Sequence, residues 1–320
     1  MKFLKSSIFL NNFLWPTYKL TYILKRKEVY SMPVTKSILR YPGGKTQLAK
    51  FVNNLTTINK IKKPIYCEPF SGGSGVSMEL LLTNKVKSII LNDYDPAIYS
   101  IWNAVLQEPG RLIAEIENCQ ITMDNWYIQK EIYTRYNNIR EYNFDLAFAT
   151  LFLNRTNRGG IITGGPIGGY NQNSKYQLDC RFNRKDIINK IRKISDQHHR
   201  IQLYMMDAEE LVRNVLLKLN PEQLFTFFDP PYYHQGQALY KSAFDHNNHV
   251  SLSHSISTMH NYKWITTYDE CNEIREIYNE YPLHTYQLRY SVRTVRFANE
   301  YIFSSPVTKL ESFDKVQIIN

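Results

Sequence analysis

Five short apolar runs interrupt an otherwise polar chain, at Pro64–Phe70, Ser88–Asp93, Ile201–Met206, Leu224–Asp229 and Lys263–Thr267. Each is too short for a helix and is bounded by turn or helix-start residues, so each is expected to be a strand. Between them, apolar positions recur with helical spacing over Gly75–Leu82, Pro96–Leu106, Ala208–Leu217 and Val250–His260. Strand–helix alternation of this kind predicts a parallel α/β sheet covered by helices on both faces, with ligands at the carboxyl ends of the strands.

The rhythm breaks between Leu106 and Arg200, where helical patterns over Asp145–Asn154 and Arg184–Ser195 flank a glycine-rich stretch without a comparable strand. The expected organisation is therefore a leader over 1–31, a main α/β domain from 32–105 and 201–320, and a mostly helical insertion over 106–200.

Composition narrows the class. With 320 residues, 43% hydrophobic and 21% charged, the chain falls among folded domains, which excludes wholesale disorder. Its apolar runs are too short to span a bilayer, so no membrane association is expected. Cys67, Cys119, Cys180 and Cys271 lie 52, 61 and 91 residues apart, without CxxC or zinc-ribbon spacing. They read as reduced thiols of a cytoplasmic protein, and no metal is expected. The leader has Lys2 and Lys5 before a short apolar stretch, but Asn11, Asn12 and Pro16 interrupt it and no small-residue cleavage site follows. It is read as a basic arm or as residues upstream of a start at Met32, not as an export signal.

The net charge of +10 points to a polyanionic partner once it is located along the chain. Half of it lies in the leader. Residues 135–200 carry twelve Lys/Arg against five Asp/Glu, interleaved with glycines and with Tyr170, Tyr176 and Phe182. A solvated helical face would share the charge, but the glycines and aromatics favour a surface that tracks a nucleic-acid backbone.

Five segments carry candidate chemistry. The strand Leu224–Phe228 delivers Asp229 to its carboxyl edge, followed by Pro230, Pro231 and Tyr232. The prolines remove N–H donors, leaving the Asp229 carboxylate and the Pro230 carbonyl as acceptors for an exocyclic amine and Tyr232 as a face for the attached base. Glu68-Pro69-Phe70-Ser71-Gly72-Gly73-Ser74-Gly75 turns the first strand into a helix. Its spacing departs from G-x-G-x-x-G, and Glu68 would repel a pyrophosphate, so a cationic nucleoside fits better. Asp93 ends the second strand where ribose hydroxyls would lie, or caps the helix ahead of Pro96. Asp207 ends the third, as an acceptor for an adenine amine or as a plain helix cap. Arg40-Tyr41-Pro42-Gly43-Gly44-Lys45-Thr46 is not a phosphate loop, because Leu39 stands where that motif needs glycine.

In chain order Arg40–Lys45, Glu68–Gly75, Leu91–Asp95 and Asp229–Tyr232 resemble the motifs of the Dam-like (D12 class) adenine-N6 DNA methyltransferases, over Ile38 to about Ser304. The resemblance implies a Rossmann-like S-adenosylmethionine-dependent sheet with an inserted target-recognition subdomain. It implies cofactor contacts from Tyr41, Gly43, Lys45, Glu68, Phe70, Gly72, Gly73, Gly75, Asp93, Asp207 and Asp229, and catalysis by Asp229, Pro230, Pro231 and Tyr232. Phe-Leu-Asn154-Arg155 and Cys-Arg181-Phe-Asn183 are similar to stretches of the family's recognition region. Asn154, Arg155, Arg158, Arg181 and Asn183 are thus candidate DNA contacts, with Lys185, Lys190 and Arg192 as phosphate contacts. Tyr41 replaces the tryptophan of Dam, and the run Gly159–Gly169 departs from its recognition loop.

The expected activity is methyl transfer to the N6 amine of an adenine flipped out of duplex DNA. Cytosine N4 or an RNA adenine would offer a similar amine, and a DNA-binding module without catalysis would share the basic insertion. The implied setting is the cytoplasm of a prokaryotic or phage-infected cell, and any restriction endonuclease partner would be a separate chain.

Overall fold

The computed structural model describes residues 35–40, 45–234, 244–291 and 295–319. The leader, Tyr41, Gly43 and the start considered at Met32 lie outside the described residues.

The predicted strands form β1 (Ile65–Glu68), β2 (Ser88–Asn92), β3 (Ile201–Tyr204), β4 (Leu224–Phe228) and β5 (Lys263–Asp269). Three more follow, β6 (His284–Ser291), β7 (Val295–Ser304) and the two-residue β8 (Ile318–Ile319). They hydrogen-bond in the order β3-β2-β1-β4-β5-β7-β6-β8. The first five are parallel, and β7, β6 and β8 join antiparallel, so the sheet is mixed and not wholly parallel. Every residue of β4 and β5 is buried, which is why β4 reads as an almost continuous apolar run and not as an alternation.

Alternation appears instead in which core each side chain enters. Tyr66, Phe225, Phe227 and Ile265 pack on one face of the sheet, while Cys67, Leu224, Phe228 and Trp264 pack on the other. The first face is covered by α1 (Ala49–Ile58), α2 (Gly75–Leu82) and α3 (Pro96–Gln107). The helices of the predicted insertion, α4 (Pro109–Asn118), α5 (Met123–Tyr136), α6 (Phe144–Thr156) and α7 (Arg184–Ser195), add their apolar residues to that same core. The second face takes α8 (Ala208–Asn214), α9 (His246–Ser257) and α10 (Asn272–Ile277).

Helix starts follow short polar side chains. Asp95, Thr122, Asn143, Asn183, Asp207 and Asp245 each accept a hydrogen bond from a first-turn N–H of the helix they precede. The α3 cap is thus Asp95, and Asp93 is released from the capping role considered for it. Asn183, read as a DNA contact, caps α7, its Oδ1 accepting from Asp186 N at 3.1 Å.

α6 is buried all round, with only Asp145 of its thirteen residues outside the buried set. Helices of that kind run through the middle of a packed layer, and α6 lies against both α3 and α5. This placement corrects two expectations. Asn154 is 0% exposed, and its amide spans Arg40 and Gly160: Oδ1 accepts from Arg40 N, and Nδ2 donates to Arg40 O and Gly160 O, each at 2.8 Å. Arg155, 7% exposed, donates from Nη2 to Ile38 O. Both residues stitch the segment before Lys45 to the helical layer. The approach is so close that a Cβ on Gly160, whose φ is +78°, would stand 2.0 Å from Arg40 O.

Candidate active site

Strand order reverses between β1 and β4, and a doubly wound sheet opens a crevice at the carboxyl ends there. A cavity of about 570 Å³ occupies that place, lined by Phe70 and Gly72 after β1, Asp93 after β2, Asp207 after β3, and Asp229 and Pro231 after β4. Six residues singled out in four separate segments thus meet around one space.

Each wall is fixed by the backbone. The Asp93 carboxylate accepts from Gly72 N at 2.7 Å and from Asp95 N at 3.0 Å. Burial, and then the neighbouring Asp95 carboxylate, push its pKa up to about 7. Asn92, which is buried, ties three strand ends together. Its Nδ2 donates to Pro69 O at 2.9 Å and Met206 O at 3.0 Å, and its Oδ1 accepts from Met206 N at 2.9 Å. Trp102 Nε1 donates to Gly72 O at 3.0 Å, anchoring the loop to α3.

At the other end, Asp229 Oδ1 accepts from Thr267 Oγ1 at 2.9 Å and lies 3.3 Å from Lys45 Nζ. Lys45 Nζ also stands 3.6 Å from Glu300 Oε2 and donates to Tyr232 Oη at 2.6 Å. Glu300 in turn accepts from Tyr286 Oη. Side-chain exposures of 5% for Lys45, 25% for Asp229 and 3% for Glu300 make this a largely dry charge cluster with Asp229 as its open member. Burial raises the Asp229 pKa and Glu300 adds to the rise, while Lys45 and the Thr267 hydroxyl oppose it. The turn after Pro231 hangs on Asp269 at the end of β5, whose carboxylate accepts from Tyr233 N at 2.9 Å and His234 N at 3.0 Å.

Four expected cofactor residues stand outside the cavity lining: Lys45, in the charge cluster, and Glu68, Gly73 and Gly75. Glu68 is 6% exposed and accepts from Tyr66 Oη and Ser77 N, each at 3.0 Å, with its pKa pushed up to about 7 chiefly by burial. Gly75 permits helix contact: a Cβ there would lie 2.1 Å from Thr46 Oγ1. Pro230 is buried beneath the turn. The left-handed residue that swings the loop into α2 is Ser74, at φ +48°.

Sequence reasoning missed several contributors. Thr267 and Asp269 on β5 and Glu300 on β7 were not singled out as site residues. The predicted insertion forms one wall of the cavity, through Tyr133, Asn137 and Arg140 near the end of α5 and through Ile161 and Thr163 after Gly160. The Arg140 guanidinium also lies 3.9 Å from the ring centroid of Tyr94.

The candidate DNA contacts separate by exposure. Arg158, Arg181, Lys185 and Arg192 face solvent. Lys190 is drawn into an ion pair with Asp186 at 2.9 Å, its side chain 14% exposed. Arg184 beside them caps α4, donating to Ile116 O and Cys119 O, both at 2.7 Å. None of the described helices is long and apolar enough to cross a membrane.

Comparison with known proteins follows the same lines. Over 258 residues the chain is 23% identical to the Type II methyltransferase M.CviBI of Paramecium bursaria Chlorella virus NC1A, covering 80% of this chain and 91% of that one. Two solved structures of the rRNA methyltransferase aviRa from Streptomyces viridochromogenes are similar at 12% identity and TM-scores of 0.40 and 0.38. They cover 85% and 83% of this chain and 90% and 86% of their own, a likeness too distant to argue for a substrate. Residues 41–292 match the family described as D12 class N6 adenine-specific DNA methyltransferase. That match takes in the crevice, Lys45 and Asp229 of the charge cluster and the helical layer with its exposed cations, and the chain belongs to this family of enzymes.

Proposed function

We propose that this adenine-specific DNA methyltransferase uses S-adenosylmethionine, held in the crevice between Asp93 and Asp229, to methylate the N6 amine of an adenine flipped out of duplex DNA. The observation that carries the reading is the Asp229 carboxylate. It lines the cavity, and its Oδ1 is already taken by Thr267 and Lys45, so Oδ2 is left to accept from an incoming amine.

The donor set suits the cofactor. Asp93, Asp207 and Asp229 bring acceptors to a cavity otherwise walled by groups such as Phe70, Ile98 and Met206, the combination a cationic nucleoside with hydroxyl and amine donors requires. Bound there, S-adenosylmethionine supplies a methyl group on a sulfonium that is already a good leaving group. Asp93 would hold the ribose hydroxyls and Asp207 the cofactor's adenine amine.

The protein's own part is geometric and electrostatic. An exocyclic amine is a weak nucleophile because its lone pair is conjugated with the base. Asp229 Oδ2 and the Pro230 carbonyl draw its hydrogens toward a tetrahedral arrangement as bonding begins. Lys45 opposes the rise in the Asp229 pKa that burial causes, and Tyr232, steadied by Lys45, offers its ring to the base. Lifting an adenine from the duplex costs a few kcal/mol, recovered by that stacking and by phosphate contacts from Arg158, Arg181, Lys185 and Arg192. A restriction endonuclease acting with this enzyme would be a separate chain.

The test is to incubate the purified chain with S-adenosylmethionine and unmethylated duplex DNA, then quantify methylated nucleosides by mass spectrometry. N6-methyladenine is expected from the native chain. Asp229→Ala should bind DNA within about twofold of native while its turnover falls by about 10³ or more, the scale of losing a group aimed at the transition state. Normal turnover in that variant would refute the mechanism, and N4-methylcytosine as the product would refute the substrate.

A further inference from the structure

Two residues beyond Tyr232, the turn that presents the base-stacking ring brings His234 against the β5–α10 connection. His234, Cys271 and Glu273 each turn one ligand atom toward a common point, and these three atoms all lie within 4.8 Å of one another. His234 Nε2 and Glu273 Oε2 are 3.8 Å apart. Cys271 is a free thiol at the N-cap position of α10, between the Ile274 N–H and the Glu273 carboxylate.

We propose that His234, Cys271 and Glu273 form a binding site for a zinc-class divalent cation, which would pin the turn after the Asp-Pro-Pro-Tyr segment to the end of β5.

Three arguments support the assignment. The first is ligand chemistry: one thiolate, one imidazole and one carboxylate suit zinc and its softer neighbours, whereas magnesium and calcium prefer all-oxygen shells. The second is geometry. Zinc bonds of about 2.0–2.3 Å in a tetrahedral shell separate the ligand atoms by about 3.3–3.7 Å. The three atoms, all within 4.8 Å of one another, need to approach by no more than about 1.5 Å to reach that spacing. The backbone is already in place, because Asp269 holds His234 N at 3.0 Å and Tyr233 N at 2.9 Å.

The third is access and charge. His234 and Glu273 side chains are 59% and 41% exposed, which leaves an entry from solvent and a fourth position for water. The Asp269 carboxylate adjoins Cys271, so the surroundings favour a cation. Binding would displace the Cys271 thiol proton to solvent, giving a thiolate–metal bond without change of oxidation state. The ion would touch no reacting atom in the proposed methyl transfer, and the site stands whether or not that reading holds.

The full-length chain, stripped with a chelator, should take up one zinc ion in competition with a chromophoric chelator. Cobalt in its place should give the near-ultraviolet charge-transfer absorption of a cobalt–thiolate bond. Cys271→Ser should abolish that absorption, and His234→Ala should weaken zinc binding at least tenfold. Cys180→Ser, altering an exposed thiol elsewhere, should leave both unchanged. Zinc should raise the melting temperature of the native chain and not that of His234→Ala, a surface substitution that keeps the test valid should Cys271→Ser fold poorly. Absence of stoichiometric uptake, or uptake indifferent to His234→Ala, would overturn the proposal.

Discussion

Lys45 is the cation around which the reactive end of the crevice is neutralised, facing Asp229, Glu300 and the Tyr232 hydroxyl at once. Lys45→Met would leave the Asp229–Glu300 pair without its ammonium, a loss of about 3 kcal/mol on the scale of broken buried pairs. The Asp229 pKa, already raised by burial and held down by Lys45, would rise further. The folded state would then keep protons that the unfolded chain releases, so stability would fall as pH rises from about 4 upward. Urea denaturation at pH 5.5 and 8.5 should find the deficit larger at the higher pH. Glu68 offers the complementary case. With its folded pKa pushed up to about 7, the native chain loses stability across the window from the ordinary carboxyl range to that value. Glu68→Gln retains an acceptor for Tyr66 Oη and Ser77 N and removes the titration. The difference in melting temperature between pH 5 and pH 8 should therefore shrink, and an unchanged difference would show that Glu68 is not its source.

Helix α7 was readable to the residue, because an Asn183 cap precedes buried Ile187, Ile188, Ile191 and Ile194 at helical spacing. α5 escaped notice for the converse reason. Only Trp126, Gln129 and Tyr133 of its fourteen residues are buried, too few to mark a period. α1 and α4 were likewise not anticipated. α6 was seen as far as Asn154, but its continuation through Arg155 and Thr156 depends on polar groups turning inward, which only the partner segment explains. In Asn154→Ala the Arg40 N–H and two carbonyls lose buried partners. About 3 kcal/mol should be lost, seen as a lower urea midpoint with an unchanged slope. Arg158→Ala, on the exposed side of the same junction, should leave the unfolding free energy within about 0.5 kcal/mol of native.

At the scale of the whole molecule, the sequence located the basic excess within residues 135–200, and the structure divides it by task. Arg155 and Arg184 are consumed by carbonyls and Lys190 by Asp186, while Arg158, Arg181, Lys185 and Arg192 remain in solvent. Arg192→Ala should therefore weaken DNA binding on all sequences alike and reduce the slope of log affinity against log salt by about 1. Lys190→Ala should change that slope little, and titrations at several salt concentrations would separate the two. The sequence by itself determined the five parallel strands, because each is a short run rich in apolar and β-forming residues bounded by turn or helix-start signals. It also determined the segments that end at the crevice, because acidic ends, glycine turns and the Asp-Pro-Pro-Tyr run are local patterns. Only the tertiary structure decided that Asn92 binds three strand ends together, that Thr267, Asp269 and Glu300 serve the Asp229 turn, and that Asn154 faces inward. Those roles belong to groups far apart in the chain. Burial and hydrogen-bond partners arise only when strand order and register bring such groups together, and local periodicity carries no record of either.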